Sequence, residues 1–240
     1  MNKIIVLNHK MNLNYDLVSE YIEKINKVKT DNKIIIIPSY LYISTFIKNT
    51  KYDIGSQNLS NELNGAFTGE VSSTQLNSIG VKYSLVGHSE RRNLFHETDE
   101  IINEKTRQCL NHGITPIICV GETLSEHNND ETLVKINNQI SHAILGLDDL
   151  NEKKEIIIAY EPIYAIGTGK TPKVKEIENV INHIYEVLSK YDNIDFKILY
   201  GGSVNRENIK KILEINKLDG VLIGTISSKI EEIIKIIETV

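Results

Sequence analysis

The chain has no tryptophan and only two cysteines among its 240 residues. Two thiols do not make a disulfide framework in a chain of this length, and Cys109 and Cys119 have the spacing of no zinc motif. Cys119 ends an apolar run, where a thiol is typically a small buried apolar side chain. We therefore expect both thiols to be reduced and the protein to be cytoplasmic.

Long apolar runs and an excess of positive charge are also missing. The apolar runs, such as Ile34–Pro38, are far too short to span a bilayer. The N-terminus leads into Ile4–Leu7 without the separate basic and apolar regions of a signal peptide. The net charge is −5, whereas a nucleic-acid surface needs a dense basic stripe. We expect neither a membrane nor a nucleic acid among the partners.

Eight short β-branched runs are the most regular feature that the sequence does have. Runs that are apolar throughout are typical of parallel strands covered on both faces. The runs are Ile4–Leu7, Ile34–Ile37, Tyr52–Gly55, Tyr83–Val86, Ile114–Val120, Ile156–Tyr160, Phe196–Tyr200 and Gly220–Ile223.

Helical segments alternate with these runs. In the first, Leu17, Tyr21, Ile25 and Val28 are predicted to share one buried face. The segments are Asp16–Val28, Tyr40–Lys48, Ser73–Ser78, Asp99–Asn111, Glu131–Leu145, Lys173–Lys190, Arg206–Asn216 and Ser227–Glu238. Eight strand-then-helix units in this length predict an α/β protein with a single (β/α)₈ barrel domain over residues 1–240. An open doubly wound sheet is the alternative.

Polar residues and glycines follow several of the strands directly. The active site of such a barrel lies at the carboxyl ends of its strands. Each residue alone has a structural explanation, such as a surface lysine, a capping histidine or a glycine turn, but their joint placement predicts one site. The residues are Asn8 and Lys10, His88–Glu90, Glu161 and Pro162, Gly201–Ser203, and Gly224 with Thr225.

The motifs at these strand ends resemble those of the triosephosphate isomerase family. Tyr160–Thr171 resembles the family's catalytic glutamate and mobile lid, and Val86–Arg92 resembles its catalytic-histidine motif. Asn8–Asn12 is similar to the first strand-end motif, and Tyr200–Val204 to the phosphate turn. Gly65–Glu70 resembles the loop that docks into a neighbouring subunit.

The resemblance implies an aldose–ketose isomerase that interconverts dihydroxyacetone phosphate and D-glyceraldehyde 3-phosphate through an enediolate. Glu161 would be the base and His88 a neutral electrophile beside a helix start. Lys10 would supply positive charge, and Asn8 would orient the ligand oxygens. Glu90 would hold Lys10 or polar neighbours in place, or would itself take part in proton transfer. The resemblance implies no metal and no organic cofactor.

The resemblance also implies a phosphate site, a lid and a homodimer. Backbone N–H groups of Gly167, Ser203, Gly224 and Thr225 would bind the phosphate, and Thr68 would reach a neighbouring subunit. The lid would comprise Pro162, Ile163, Tyr164, Ala165, Ile166, Gly167, Thr168, Gly169, Lys170 and Thr171.

Three departures from the family leave alternatives open. His9 and Tyr164 stand where the family usually has tryptophan, and Thr225 stands where it usually has glycine. These changes leave room for an isomerase of another small phosphorylated ketose, for example one with four carbons. A metal-dependent epimerase would need more ligands at strand ends than His9 and His88 provide. A sugar-phosphate-binding protein would not need a base.

Overall fold

A closed barrel of eight parallel strands forms the centre of the computed structural model. The structure describes residues 2–147, 152–165 and 172–240. Each strand pairs with its neighbours in the sequence, and the last pairs with the first, so the predicted (β/α)₈ barrel is confirmed and the open sheet is wrong. The strands are β1 (Ile4–Asn8), β2 (Lys33–Ile37), β3 (Asp53–Ser56), β4 (Tyr83–Val86), β5 (Thr115–Val120), β6 (Lys154–Tyr160), β7 (Ile194–Tyr200) and β8 (Gly220–Ile223).

Helices surround the barrel. In the described part of the chain they are α1 (Tyr15–Ile25), α2 (Ile43–Asn49), α3 (Ser73–Ser78), α4 (Ser89–Leu94), α5 (Asp99–Asn111), α6 (Leu124–Asn128), α7 (Thr132–Ala143), α8 (Val174–Leu188), α9 (Ile209–Leu213) and α10 (Ile230–Ile237). The bounds of α3 and α5 are those predicted, and α9 is shorter than predicted. The helix start predicted beside His88 is that of α4, and the short helix α6 was not predicted. None of the described helices is both long and apolar enough to cross a membrane.

The strands bury both faces, which explains their continuous apolar character. Val6 and Leu222 belong to a core inside the barrel, and Ile5 and Leu7 belong to a second core between the strands and the helices. Cys119 lies in the inner core, and burial raises the pKa of its thiol well above the ordinary range. A thiol in that position is an apolar packing residue, as predicted.

The buried face of α1 differs from the prediction at one position. Leu17 is 45% exposed, whereas Val18 and Ile22 are buried together with Tyr21 and Ile25. These four residues follow the i, i+3, i+4, i+7 spacing of one helical face, and Leu17 lies outside it. Its backbone N–H instead bonds the side chain of Asn14, which caps the helix.

His9 is part of the helix-packing core. Its ring lies 4.5 Å from that of Tyr21 on α1 and 5.5 Å from that of Phe46 on α2, measured between centroids. Neither ring nitrogen has a hydrogen-bond partner among the described residues. Burial lowers the pKa of His9 to about 3, so the ring is neutral at pH 7.

Candidate active site

A cavity opens at the carboxyl ends of the strands. Asn8, Lys10, His88 and Glu161 line it together with the turns after β7 and β8. The structure thus brings to one mouth residues that lie far apart in the sequence. His9 is absent from this lining because it packs into the core.

The carboxylate of Glu161 is buried against His88. Its Oε1 lies 3.2 Å from Nε2 of His88, and its Oε2 accepts the backbone N–H of Ser89 at 3.3 Å. Gly201 makes room for this side chain, since a Cβ there would approach Cγ of Glu161 to 2.9 Å. Burial favours the neutral acid, but His88 and the Ser89 N–H outweigh it, so the pKa of Glu161 is lowered. Glu161 is therefore an ionised acceptor at neutral pH.

His88 caps the short helix α4 with its own ring. Its Nδ1 accepts the backbone N–H of Glu90 at 3.2 Å. A nitrogen that accepts a hydrogen bond cannot carry a proton, so the neutral ring has its proton on Nε2, which donates to Glu161. Burial lowers the pKa of His88, but the carboxylate of Glu161 more than offsets this effect, so the pKa is raised. The contact with Glu161 thus favours the protonated form of His88, whereas the sequence predicted a neutral ring.

Lys10 lies in the turn after β1 with its charge directed to Glu90. The distance from Nζ to Oε1 of Glu90 is 2.6 Å, and the lysine side chain is 15% exposed. The backbone N–H of Lys10 donates to Oδ1 of Asn8 at 3.0 Å. Ser227 in turn donates its hydroxyl proton to the carbonyl of Asn8 at 2.5 Å. Asn8 therefore links the end of β1 to the turn after β8.

Ser203 in the turn after β7 and Gly224 and Thr225 after β8 line the cavity. Among the described residues, none accepts a hydrogen bond from the backbone N–H of Ser203, Gly224 or Thr225. Thr225 is exposed and begins a short 3₁₀ helix, Thr225–Ser228. Its φ is not positive, unlike that of Lys10. A Cβ at this position therefore causes no left-handed strain.

The start of the predicted lid packs against Glu122. Ile163–Ala165 forms a 3₁₀ turn, and the N–H of Ile163 donates to the carbonyl of Glu122 at 3.1 Å. Tyr160 donates its hydroxyl proton to Oε1 of Glu122 at 3.0 Å. The ring of Tyr164 lies 4.5 Å from that of His127. The remaining lid residues, Ile166, Gly167, Thr168, Gly169, Lys170 and Thr171, lie outside the described residues.

Two residues of this region were missed by the sequence analysis. Glu122 is fully buried, and burial raises the pKa of its carboxyl. Gln57 donates its side-chain amide to the carbonyl of Lys10 at 2.7 Å. Glu122 follows β5, and Gln57 follows β3, so the strand-end criterion would have found both had it been applied to those strands.

Thr68 lies in an exposed turn away from these groups. The turn Gly65–Glu70 lies in the long segment between β3 and α3. Phe67 within this turn is 45% exposed. Among the described residues, no hydrogen bond joins Thr68 to Lys10 or Glu90 of its own chain.

Comparison with known proteins gives consistent full-length matches. The family model described as triosephosphate isomerase matches residues 3–240. The triosephosphate isomerase of Mesomycoplasma hyorhinis is 37% identical, and the alignment covers 99% of this chain and 98% of that protein. The triosephosphate isomerase of Alkaliphilus metalliredigens (strain QYMF) is 40% identical, with 98% of each covered. That of Thermoanaerobacter pseudethanolicus (strain ATCC 33223 / 39E) is 39% identical, with 92% and 91% covered.

Proposed function

The chain belongs to the triosephosphate isomerase family, and on that premise we propose that Glu161, His88 and Lys10 carry out its proton transfer. The protein is an intramolecular aldose–ketose isomerase that interconverts dihydroxyacetone phosphate and D-glyceraldehyde 3-phosphate. Its reaction is a step of glycolysis. The contact between an ionised, buried Glu161 and Nε2 of His88, at 3.2 Å, is the observation that carries the assignment of roles.

Glu161 is the base in this proposal. It removes the proton from the carbon next to the substrate carbonyl, the C–H electron pair forms the carbon–carbon double bond, and the carbonyl π pair moves onto its oxygen. A proton then passes from Glu161 to the former carbonyl carbon, and the hydroxyl proton of the substrate passes from one oxygen to the other, so no atom is gained or lost. The lowered pKa of Glu161 supports this role, because only an ionised carboxylate can accept the proton at neutral pH.

His88 and Lys10 stabilise the enediolate. The Nε2 proton of His88 hydrogen-bonds the substrate oxygen that gains charge, because Nδ1 is occupied by the Glu90 N–H. Lys10 supplies positive charge at the mouth and attracts the phosphate dianion. Glu90 keeps the ammonium group in place through its 2.6 Å contact.

The phosphate binds to backbone N–H groups of the turns after β7 and β8. Ser203, Gly224 and Thr225 contribute donors that the described residues leave unpaired. Gly167 completes the set in the proposal, although it lies outside the described residues. Backbone N–H groups do not depend on the side chain, so a threonine at position 225 retains its donor.

The protein is a cytoplasmic homodimer in this proposal. Met11, Leu41, Phe67 and Phe95 are apolar and exposed, and they lie in the segments that follow β1, β2, β3 and β4. Since these strands are neighbours in the barrel, their loops lie on one side of the mouth. Exposed apolar side chains on one side of a protein are typical of an interface with another subunit. Thr68 belongs to the same loops and would contact the site of the second subunit.

Sedimentation at low protein concentration tests the oligomeric state. We expect a dimer, and we expect Thr68→Arg to shift the protein towards monomer with reduced turnover. A monomer with full turnover would contradict the proposed dimer.

Turnover of glyceraldehyde 3-phosphate by the purified protein tests the reaction. Four-carbon phosphorylated ketoses serve as the comparison, because they address the alternative raised by His9, Tyr164 and Thr225. We expect a kcat/KM that is highest on the triose. A higher kcat/KM on a four-carbon ketose would show that this ketose, and not the triose, is the preferred substrate.

A further inference from the structure

The backbone of Lys10 has a conformation that residues with a Cβ rarely adopt. Its φ is +49°, in the left-handed region. This region is strained for an L-residue, and such strain persists only where neighbouring contacts fix the backbone. The turn after β1 must therefore contain contacts that hold Lys10 in place.

Two side-chain amides bond the backbone of Lys10. Asn8 accepts its N–H at 3.0 Å, and Nε2 of Gln57 donates to its carbonyl oxygen at 2.7 Å. Nε2 of Gln57 also lies 3.3 Å from the carbonyl oxygen of Ile37. Because both of these partners are acceptors, the amide must present its NH₂ group to them, which fixes the orientation of Gln57.

Gln57 connects three neighbouring strands. It follows β3, Ile37 ends β2, and Lys10 follows β1. The carbonyl of Ile37 also accepts the N–H of His9 at 3.0 Å. The side-chain amide of Gln57 therefore fixes the position of the turn after β1 relative to the ends of β2 and β3.

We propose that Gln57 is a positioning residue of the isomerase, which holds the backbone of Lys10 so that its ammonium group faces the mouth. This inference rests on the proposed role of Lys10. Glu90 cannot replace Gln57, because it bonds only the flexible end of the lysine side chain and is itself 48% exposed. Asn8 fixes the N–H of Lys10 but leaves its carbonyl free to rotate.

The variant Gln57→Leu removes both donors, and Gln57→Glu keeps the shape but presents acceptors to two carbonyl oxygens. We expect kcat/KM to fall roughly 10- to 100-fold in both, the range expected when a charged group is displaced by about 1 Å. Most of the loss should appear in KM, and the Kd of inorganic phosphate should rise with it. Gln108→Leu is the matched control, because Gln108 also donates its amide to a loop carbonyl, that of Asn61, at 3.0 Å.

A double-mutant cycle separates positioning from general structural damage. We expect Gln57→Leu to change the phosphate Kd and kcat/KM by less than about threefold when Lys10→Ala is already present, since residues acting through one group are not additive. Thermal melting of each variant verifies that it is folded, and the phosphate titration needs no turnover.

The outcomes distinguish the inference from the proposed function. Normal kinetics in both Gln57 variants, or an equal loss with and without Lys10, would overturn the positioning role. Normal kinetics and phosphate binding in Lys10→Ala would instead overturn the proposed role of Lys10.

Discussion

At the scale of single residues, the proposed proton transfer depends on the pair of Glu161 and His88. Replacing Glu161 with glutamine keeps the shape and removes the proton acceptor. We expect kcat to fall at least ~10²-fold, with a much smaller change in KM, in steady-state assays of the triose. Turnover close to that of the unmodified enzyme would exclude Glu161 as the base.

The same variant alters the titration of His88. The Glu161 carboxylate raises the pKa of His88, whereas burial lowers it. Glu161→Gln removes the largest raising contact, so the pKa of His88 should be lower in the variant than in the unmodified protein. NMR of the ring nitrogens measures this directly. An imidazolium transition at the same pH in the variant and in the unmodified protein would show that the Glu161 carboxylate does not raise the pKa of His88.

Lys10 carries the positive charge of the proposed mechanism, but its left-handed backbone conformation lowers the stability of the fold. Both Lys10→Gly and Lys10→Ala lose the ion pair with Glu90, but only glycine accepts a φ of +49° without strain. We expect the glycine variant to be more stable than the alanine variant by about 1 kcal/mol in urea unfolding. Equal stabilities would show that the left-handed backbone carries no cost.

At the scale of elements, the turn after β8 decides whether Thr225 disturbs the phosphate site. Thr225 begins a 3₁₀ helix without positive φ, so its N–H remains available. We expect Thr225→Gly to change KM for the triose by less than about threefold, because the backbone donor is the same in both. A large fall in KM would mean that the threonine side chain intrudes on the anion, and would favour a different substrate.

At the scale of the whole molecule, His9 makes stability dependent on pH. Its pKa is about 3 when folded and 6.5 when unfolded, so between these values the unfolded chain binds the extra proton. The stabilisation is therefore complete above about pH 6.5 and is lost as the pH falls towards 3. Between pH 7 and pH 5 the loss attributable to His9 is roughly 2 kcal/mol.

Urea unfolding at fixed protein concentration tests this dependence. His9→Phe should be less sensitive to acid by that amount, since phenylalanine has no proton to take up. His142→Gln is the control, because His142 is exposed. Equal acid sensitivity in His9→Phe and the unmodified protein would show that His9 does not control it.

The sequence by itself determined the barrel and the residues at its mouth. Eight apolar runs specify strands buried on both faces, and the local periodicity of apolar residues specifies helices such as α5, so these features need no knowledge of distant contacts. Only the tertiary structure decided how the mouth is held together. Gln57 bonds Lys10 across 47 positions and Glu90 bonds it across 80. The proton on Nε2 of His88, the backbone of Lys10 and that of Thr225 follow from such contacts, because hydrogen bonds between distant segments depend on where the folded strands place their ends.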